Sequence, residues 1–415
     1  MQERMPITIG EDTVDKFIAY CRERGLDAFM LVADKNTAAA LGDRVHTAIS
    51  QQGWDVLYCV LDPDGLHTDG TAVTRVLRAH DAAPRTFVSV GSGTITDTTR
   101  FASHRSGNPF ISFPTAASVD AYASKTAAIT IGRLKGSVVC QAPEAIFTDM
   151  PTICHAPRFL TASGFGDLVS KLTSTCDWKL THIIWGSDFD EGIYWRGVSA
   201  GQSVAAVIDG IRAGDTESMQ VMMEGQFEGG FCMADFNNSA PASGSEHHIA
   251  HVWEMLFHWD GKEGLFHGNA VGVAMLMSAR WYAQLRAMTR EDARTALERT
   301  IIPPREEQEA ALRKALPEIA EEVIASNPIY LQLSEPETFE RIKTRILEQW
   351  DEIQTCANKV PDPDQLREWI SSLGEPVTPQ EIRVSAEETR LGKDFGLYLR
   401  ERFSINIIRS LFGWE

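Results

Sequence analysis

Two patterns of hydrophobic and polar positions divide the chain. Up to about residue 157, short runs of consecutive apolar residues alternate with stretches of helical periodicity, such as residues 36–51 and 69–82. Continuous apolar runs are typical of the strands of a parallel sheet that is buried on both faces. The predicted strands are residues 27–34, 54–61, 85–91, 109–115, 137–142 and 144–150. Strands that alternate with helices indicate an α/β domain.

Beyond residue 157 the runs typical of strands become scarce, and long amphipathic patterns dominate. The predicted helices are residues 159–179, 196–213, 216–235, 246–258, 268–287, 304–326 and 337–357. We therefore predict two domains. The first is an α/β nucleotide-binding domain with a parallel sheet over residues 1–157, and the second is an all-α domain over residues 158–415.

Composition narrows the functional classes. The chain has 415 residues, of which 43% are hydrophobic, and no run approaches the 18 apolar residues of a membrane-spanning helix. With a polar start that does not resemble a signal peptide, we expect a cytoplasmic protein without membrane insertion. Seven scattered cysteines without a CxxC pair disfavour a disulfide framework and a cysteine zinc site. The net charge of −18 disfavours nucleic-acid binding, which needs a basic surface.

Three histidines lie within five positions of the stretch SEHHIAH, residues 245–251. On a helix, His247 and His251 share one face, whereas His248 is rotated by about 100°. Two imidazoles on one face could bind a metal ion or a substrate, but histidines on an amphipathic helix are often solvated or bonded to a backbone carbonyl. The order also differs from the HExxH motif of zinc proteases, so a third ligand would have to come from elsewhere.

Gly91 and Gly93 lie between a predicted strand and a predicted helix. Such a turn lets backbone N–H groups at a helix N-terminus approach a pyrophosphate. The third glycine of the Rossmann motif is replaced by Thr96, so an ordinary strand-to-helix turn is an equal alternative. Asp34 ends an earlier predicted strand, where a carboxylate could bind the adenosine ribose. This position favours NAD over NADP, but only modestly, because Lys35 follows it.

Three later blocks hold further candidate residues. PTAASVDAYAS, residues 114–124, follows a predicted strand and has small side chains together with Asp120. Asp167 begins a helical pattern, and Lys171 lies one turn later on the same face. Lys171 is a candidate cation for a substrate phosphate. His267 stands just ahead of a helix rich in glycine and small residues.

In this order the four blocks resemble the sn-glycerol-1-phosphate dehydrogenase family, within the larger group of iron-containing alcohol dehydrogenases and glycerol dehydrogenases. The resemblance covers about residues 30–275, is closer to bacterial members, and implies a fold like that of dehydroquinate synthase. It implies that the glycine turn binds the cofactor pyrophosphate through Gly91, Gly93, Thr94, Ile95, Thr96 and Asp97. It implies that the next block lines the nicotinamide through Thr115, Ala116, Ala117, Ser118 and Ser124.

The same resemblance implies the roles of the polar residues. Asp167, His247 and His267 match the metal ligands, while Asp120 and His251 match substrate-binding positions that we also expect to act in catalysis. One carboxylate and two imidazoles suit Zn²⁺, Fe²⁺ or Ni²⁺.

The expected activity is a metal-dependent, NAD- or NADP-linked interconversion of dihydroxyacetone phosphate and sn-glycerol 1-phosphate, a reaction of phospholipid biosynthesis. We also expect a homo-oligomer. Three alternatives stay open. A glycerol dehydrogenase or other polyol oxidoreductase would act on an unphosphorylated substrate and would not need Lys171. A lyase like dehydroquinate synthase would usually have Glu at the position of Asp167. A helical scaffold without activity would need the ligand set to be a coincidence.

Overall fold

The structure is a computed structural model that describes residues 5–132 and 134–415. It divides into two compact units, each made of two chain segments. The first unit is Met1–Phe165 with Ala206–Ala234, and the second is Gly166–Ala205 with Asp235–Glu415. The boundary expected from the sequence lies near residue 157. The division differs from it in one main respect, because residues 206–234 also belong to the first unit.

The first unit is built on a six-stranded sheet in which every pair of neighbouring strands is parallel, in the order β1-β8-β5-β4-β2-β3. A separate antiparallel hairpin, β6–β7, lies outside this sheet. The strands are β1 Ile7–Gly10, β2 Ala28–Asp34, β3 Asp55–Leu61, β4 Thr86–Gly91, β5 Phe110–Pro114, β6 Thr126–Ile131, β7 Leu134–Val139 and β8 Ile146–Asp149. The predicted parallel sheet is therefore confirmed.

Helices follow most strands of the first unit and make up the second. They are α1 Thr13–Arg24, α2 Lys35–Thr37, α3 Asp43–Gln51, α4 Gly70–Ala79, α5 Gly93–Arg105, α6 Met150–His155, α7 Arg158–Val169, α8 Lys171–Leu180, α9 Glu191–Ala206, α10 Ile208–Ala213, α11 Thr216–Phe236, α12 Ser245–Trp259, α13 His267–Ala287, α14 Arg290–Arg299, α15 Arg305–Ala315, α16 Ala320–Ser326, α17 Ile329–Gln332, α18 Pro336–Glu348, α19 Trp350–Ala357, α20 Pro363–Ser372, α21 Ala386–Gly396 and α22 Ile405–Phe412. The predicted α/β and all-α classes are confirmed. No described helix is long and apolar enough to cross a membrane.

The apolar runs of the sheet are buried on both faces. Phe29 and Leu31 belong to one hydrophobic cluster, and Met30 and Val32 belong to another. Successive side chains of a strand point to opposite faces, so the two clusters cover the two sides of the sheet. This explains why the strands appear in the sequence as continuous apolar runs instead of alternating ones.

One predicted strand was wrong. Residues 137–142 do not form a buried parallel strand, because the chain there is the second strand of the hairpin, β7. Directly after β6, at Gly132, the backbone has a φ of +63°, a conformation that glycine adopts without steric cost. The exposed hydrophobic side chain of Val139 is consistent with a strand that lies outside the main sheet.

One buried carboxylate, that of Asp177, connects α8 to three other helices of the all-α unit. Asp177 of α8 accepts hydrogen bonds from the Ser245 N–H at 2.6 Å, the Tyr282 hydroxyl at 2.7 Å and the Ile405 N–H at 2.7 Å. These donors belong to α12, α13 and α22. Asp177 therefore fixes the start of α12 against segments that lie far away in the sequence.

Candidate active site

Three side chains of the all-α unit form a candidate metal site. They are Asp167 near the end of α7, His247 in the first turn of α12 and His267, the first residue of α13. One ligand atom of each residue lies within 4.8 Å of the other two. His247 Nε2 lies 3.3 Å from Asp167 Oδ1. The structure thus brings together the three residues that the sequence predicts as ligands.

Each of the two imidazoles contacts a glutamate carboxylate through Nδ1. His247 Nδ1 lies 2.9 Å from Glu246 Oε1, and His267 Nδ1 lies 2.8 Å from Glu254 Oε1. An ionised carboxylate can only accept, so Nδ1 of each ring carries a proton, and Nε2 is the nitrogen that would bind a metal after it has released its own proton. The donor set fits a divalent ion of the Zn²⁺ type. The sequence analysis missed both glutamates, although each is on the same helix as His247.

The pKa shifts at the site favour the charged forms of His247 and Asp167. Burial disfavours a charged His247, but hydrogen bonds to Asp167 and Glu246 outweigh this and raise the pKa of the imidazole to about 9. Burial acts against the charge of Asp167 too, yet Lys171 and the two imidazoles bring the pKa of this carboxyl below its ordinary value. Asp167 is therefore an anion that can serve as a ligand.

Lys171 lies one turn from Asp167, as predicted, but its surroundings differ from those expected of a phosphate-binding lysine. Its side chain is buried, and Nζ donates to the backbone carbonyls of Asp167 at 3.1 Å and Ala242 at 3.2 Å. Nζ also lies 3.7 Å from Asp167 Oδ1. These contacts connect Lys171 to Asp167 and to the segment before α12, and its assignment to a substrate phosphate stays a prediction.

The other two histidines of the SEHHIAH stretch differ from each other. The His251 ring stacks on His267 with a centroid distance of 5.6 Å and lies 6.1 Å from the His247 ring. His251 therefore belongs to the same cluster. His251, Glu254 and His267 form a second set of ligand atoms within 4.8 Å of one another, which shares His267 with the first set. His248 is buried, and its Nε2 has no hydrogen-bond partner among the described residues.

A buried glutamate that the sequence analysis missed lies next to the ligand region. Neither carboxyl oxygen of Glu375 has a hydrogen-bond partner in the described chain. Burial and the nearby Asp167 charge raise the pKa of this carboxyl well above its ordinary value. A Cβ at Gly166 would lie 2.3 Å from Glu375 Oε1, so glycine is needed beside Asp167 for this packing. No motif around Glu375 marks it in the sequence.

In the α/β unit, Gly91 ends β4 and Gly93 begins α5. Ser92 precedes the helix without a side-chain cap, so backbone N–H groups of its first turn are available to a ligand. A Cβ at Gly91 would lie 2.4 Å from Ile95 Cβ, whereas a Cβ at Gly93 would lie 3.1 Å from Val119 Cγ2. The two glycines thus also permit close packing of the turn.

The residues after the turn make mostly internal contacts. The Ile95 side chain is buried in the core, the Thr94 carbonyl accepts from the Thr68 hydroxyl at 3.4 Å, and Thr96 is buried. The Thr96 N–H donates to the Ser92 carbonyl at 3.0 Å, so the amides of the first turn without an intrahelical partner are those of Gly93, Thr94 and Ile95. Asp97 pairs with Arg100 and accepts the Ala128 N–H at 3.1 Å.

Arg100 is buried and also donates to the carbonyls of Ala121, Tyr122 and Thr126. Asp97 and Arg100 therefore hold the 120–126 segment and the hairpin against the turn.

The PTAAS block is packed tightly. The Thr115 N–H donates to the Gly91 carbonyl at 3.3 Å, and the Tyr122 hydroxyl donates to the Ala116 carbonyl at 2.7 Å. Ser118 Oγ lies 3.1 Å from the same hydroxyl. A Cβ at Gly164 would lie 1.8 Å from the Ala117 carbonyl oxygen. The block and the glycine turn are thus fixed to one another through main-chain contacts.

Three other predicted residues lie in the same unit. Asp120 is buried, and a Cβ at Gly229 of α11 would lie 3.0 Å from its Oδ2. Ser124 Oγ lies 2.8 Å from Thr126 Oγ1. Asp34 caps α2, because its Oδ1 accepts the N–H groups of Asn36 at 2.8 Å and Thr37 at 2.9 Å.

Comparisons with known proteins point to the same family as the sequence motifs. The sequence model of the iron-containing alcohol dehydrogenase family matches residues 8–157. A glycerol-1-phosphate dehydrogenase [NAD(P)+] of Halalkalibacterium halodurans is 35% identical over 284 residues, which cover 68% of this chain and 71% of that protein. The enzyme of the same name from Geobacillus thermodenitrificans is 28% identical over 91% of this chain and 85% of its own. Among solved structures, maleylacetate reductase from a Rhizobium species has a TM-score of 0.60 at 14% identity, covering 100% of this chain and 96% of that one, and it shows the fold alone.

Proposed function

The chain belongs to the glycerol-1-phosphate dehydrogenase family, and we propose that it interconverts dihydroxyacetone phosphate and sn-glycerol 1-phosphate with NAD or NADP and one divalent metal ion. The observation that supports the reaction type is the cluster of Asp167, His247 and His267, whose ligand atoms lie within 4.8 Å of one another. Each of its imidazoles is oriented by a glutamate. A carboxylate on the second nitrogen of an imidazole is typical of histidines that bind a metal ion.

We assign the metal to Asp167, His247 and His267. A divalent ion bound there would polarise the oxygen of the substrate carbonyl, which is what ketone reduction requires of it. These three residues would hold the ion, and the carboxylates next to the imidazoles fix the orientation of the two rings. Glu246 and Glu254 set the tautomer of the two imidazoles, and Lys171 keeps Asp167 ionised.

We assign proton handling to His251. Its ring stacks on that of His267 and is only half-buried, so it can exchange a proton with solvent. Reduction of the ketone consumes one proton at the substrate oxygen, and oxidation of the alcohol releases it. Asp120, buried in the α/β unit, is assigned to substrate binding on the basis of the family match.

The α/β unit is assigned to the nicotinamide cofactor, which supplies the hydride. The uncapped start of α5 suits a pyrophosphate, and the turn of Gly91, Gly93, Thr94, Ile95 and Thr96 would bind it. Asp97 supports this turn through Arg100. The residues that line the nicotinamide are Thr115, Ala116, Ala117, Ser118 and Ser124. Asp34 is assigned to the adenosine ribose.

The experiment is an assay of nicotinamide absorbance with purified protein and added Zn²⁺, Fe²⁺ or Ni²⁺. Dihydroxyacetone phosphate, dihydroxyacetone and glycerol are compared as substrates. We expect kcat/KM to be highest for the phosphorylated ketone. Equal turnover of the unphosphorylated compounds would favour a polyol oxidoreductase, and no turnover with any metal would overturn the proposal.

The expected homo-oligomer and cytoplasmic location stay predictions. Sedimentation analysis of the purified chain tests the first, and cell fractionation tests the second. A monomer, or a chain recovered outside the cytoplasm, would contradict them.

A further inference from the structure

Two groups of metal-ligating side chains lie next to each other in the all-α unit. The first group is Asp167, His247 and His267, and the second is His251, Glu254 and His267. In the second group, as in the first, one ligand atom of each residue lies within 4.8 Å of the other two. Each group offers two imidazoles and one carboxylate, a donor set that suits Zn²⁺. The second group therefore has the composition of a metal site in its own right.

The geometry of the second group comes from two helices. His251 and Glu254 are three residues apart on α12, so their side chains are neighbours on one face of that helix. His267 approaches them from the start of α13, and its Nδ1 lies 2.8 Å from Glu254 Oε1. The His267 and His251 rings are stacked at an interplanar angle of 22°, with their centroids 5.6 Å apart. The three side chains thus converge without any movement of the two helices.

His267 belongs to both groups, and its ring can serve each of them with a different nitrogen. Nδ1 faces Glu254, which is part of the second group. Nε2 is the nitrogen assigned to the first group. A metal ion that binds Nδ1 displaces the proton of that nitrogen, which goes to solvent, and the ring then binds one ion at each nitrogen. Occupation of one group therefore does not exclude occupation of the other.

The charges around the imidazoles favour the binding of cations. Three carboxylates contact the rings of the cluster, those of Asp167, Glu246 and Glu254. The ammonium of Lys171, 3.7 Å from Asp167 Oδ1, offsets only one of these negative charges. Carboxylates between two dications reduce the repulsion that the two ions would otherwise have at short distance.

The second group is more accessible to solvent than the first. His251 is half-buried, and the His267 side chain is 26% exposed. The side chains of Asp167 and His247, which complete the first group, are only 1% and 6% exposed. An ion in the second group would therefore exchange with solvent more readily, and we expect it to bind more weakly than an ion in the first group.

We propose that His251, Glu254 and His267 bind a second divalent metal ion, and that this ion inhibits the enzyme. The inhibitory effect rests on the proposed function, in which His251 handles the substrate proton. An imidazole nitrogen that binds a metal ion has no lone pair left to accept a proton. Occupation of the second group would thus stop proton exchange while the first ion stays in place. Activity would be highest when the metal supply fills only the first group.

The first experiment counts bound ions. The metal-free full chain is equilibrated with Zn²⁺ at free concentrations set by a chelator, and bound Zn²⁺ is measured by elemental analysis. We expect two ions per chain for the parent protein and one for His251→Gln, which leaves the first group intact. Glu254→Gln should also bind one, since its amide is a poor Zn²⁺ ligand but still accepts from His267 Nδ1. His258→Gln is the matched control that should bind two, because His258 is an exposed histidine of the same helix.

The second experiment measures reduction of dihydroxyacetone phosphate over the same Zn²⁺ series. The rate of the parent protein should rise as the first ion binds and fall about tenfold or more as the second binds, because proton transfer by a positioned side chain contributes about 10²–10⁴-fold. Glu254→Gln should keep its own maximal rate at the Zn²⁺ concentrations that inhibit the parent protein. The same rate with one and with two bound ions would overturn the inhibitory role.

The ion counts distinguish failure of the metal site from failure of the proposed function. One ion in the parent protein, or two in both His251→Gln and Glu254→Gln, would overturn the second site and leave the proposed function standing. Two ions in the parent protein and one in the variants, without turnover of dihydroxyacetone phosphate, would overturn the proposed function and leave the site standing. A metal-free His251→Gln protein would place His251 in the first group and contradict the assignment. Should His251→Gln fail to fold, the ion count of Glu254→Gln decides.

Discussion

Glu254 accepts a hydrogen bond from His267 across 2.8 Å, and the two residues are 13 positions apart on different helices. Glu254 is 8% exposed, so the bond is shielded from water. A buried carboxylate on Nδ1 fixes both the orientation of the ring and the nitrogen that can bind a metal. The metal site therefore depends on a residue that does not itself have to touch the ion.

Glu254→Ala should lower metal affinity about 10–100-fold, because outer partners of metal-binding histidines typically contribute that much. Glu254→Gln should lower it less, since its amide oxygen still accepts from Nδ1. The measurement is metal retention against a chelator series. Glu263→Gln, an exposed residue paired with Arg383, is the control. Retention by Glu254→Ala equal to that of the control would show that His267 needs no orienting partner.

The three histidines of α12 should respond differently to alanine substitution. His247→Ala should lose both bound metal and activity, since it removes one of three protein ligands. His248→Ala should keep its metal and its rate within a few-fold, because on the helix it lies about 100° from the ligand face. His251→Ala should keep its metal and lose about 10²–10⁴-fold in kcat if it handles the proton. Elemental analysis and kinetics of each variant provide the measurement, and a metal-free His248→Ala protein would contradict the assignment.

Gly164→Ala should disrupt the cofactor side of the α/β unit. The added Cβ would lie 1.8 Å from the Ala117 carbonyl oxygen and 2.7 Å from Gln226 Nε2, so the PTAAS block must move. We expect a loss of at least about 2 kcal/mol in stability and weaker cofactor binding. Thermal unfolding and fluorescence titration with NAD test this. Gly70→Ala is the control, because nothing lies within 4 Å of its Cβ position. Matching melting temperatures for the two variants would rule out the close contact.

The pH dependence of stability should reflect Asp177. Burial, with a contribution from the charge of Glu246, raises the pKa of this carboxyl to about 6. The ordinary value, near 3.9, applies to the unfolded chain. Between these values the folded protein holds a proton that the unfolded chain has released. This contribution to the free energy of unfolding, on the order of 1–3 kcal/mol, is therefore complete below pH 4 and is lost as the pH rises through 6.

Asp177→Asn should remove this slope between pH 4 and 6. It should also lower stability at every pH, because the amide nitrogen cannot accept the N–H or hydroxyl bonds that one carboxylate oxygen now receives. Denaturant unfolding at a series of pH values measures both effects. A variant with the slope of the parent protein would assign the dependence to other groups.

The sequence predicted the sheet well because its signal is local. Strands β2 to β5 are continuous apolar runs, and each was found within one residue of its bounds. The hairpin was misassigned because β6 and β7 pair with one another outside the main sheet, and the periodicity of 137–142 does not reveal its partner. Helices α14, α20, α21 and α22 were missed although the sequence marks some of their starts, because α14 and α21 begin with capping boxes formed by Thr289 with Asp292 and by Ser385 with Glu388.

The residues of the candidate site were also predicted only where their signal is local in the sequence. Asp167, His247 and His267 were predicted because their motifs match a family, and the structure places them together. Glu254 and Glu375 have no sequence signal, because what distinguishes them is burial beside His267 and beside Gly166, respectively. Lys171 was correctly predicted to lie beside Asp167, although the two residues belong to consecutive helices, α7 and α8, and no pattern indicated that its ammonium would donate to backbone carbonyls.

The discontinuity of the two compact units has a consequence for biosynthesis. Residues 166–205 of the all-α unit leave the ribosome before Ala206–Ala234, which belongs to the α/β unit, and before the remainder of their own unit. Neither unit is therefore complete until a segment of the other has been translated, and folding cannot proceed strictly from the N-terminus. No single cut yields both units intact, so exchange of one unit between relatives by recombination would require two or more coordinated crossovers.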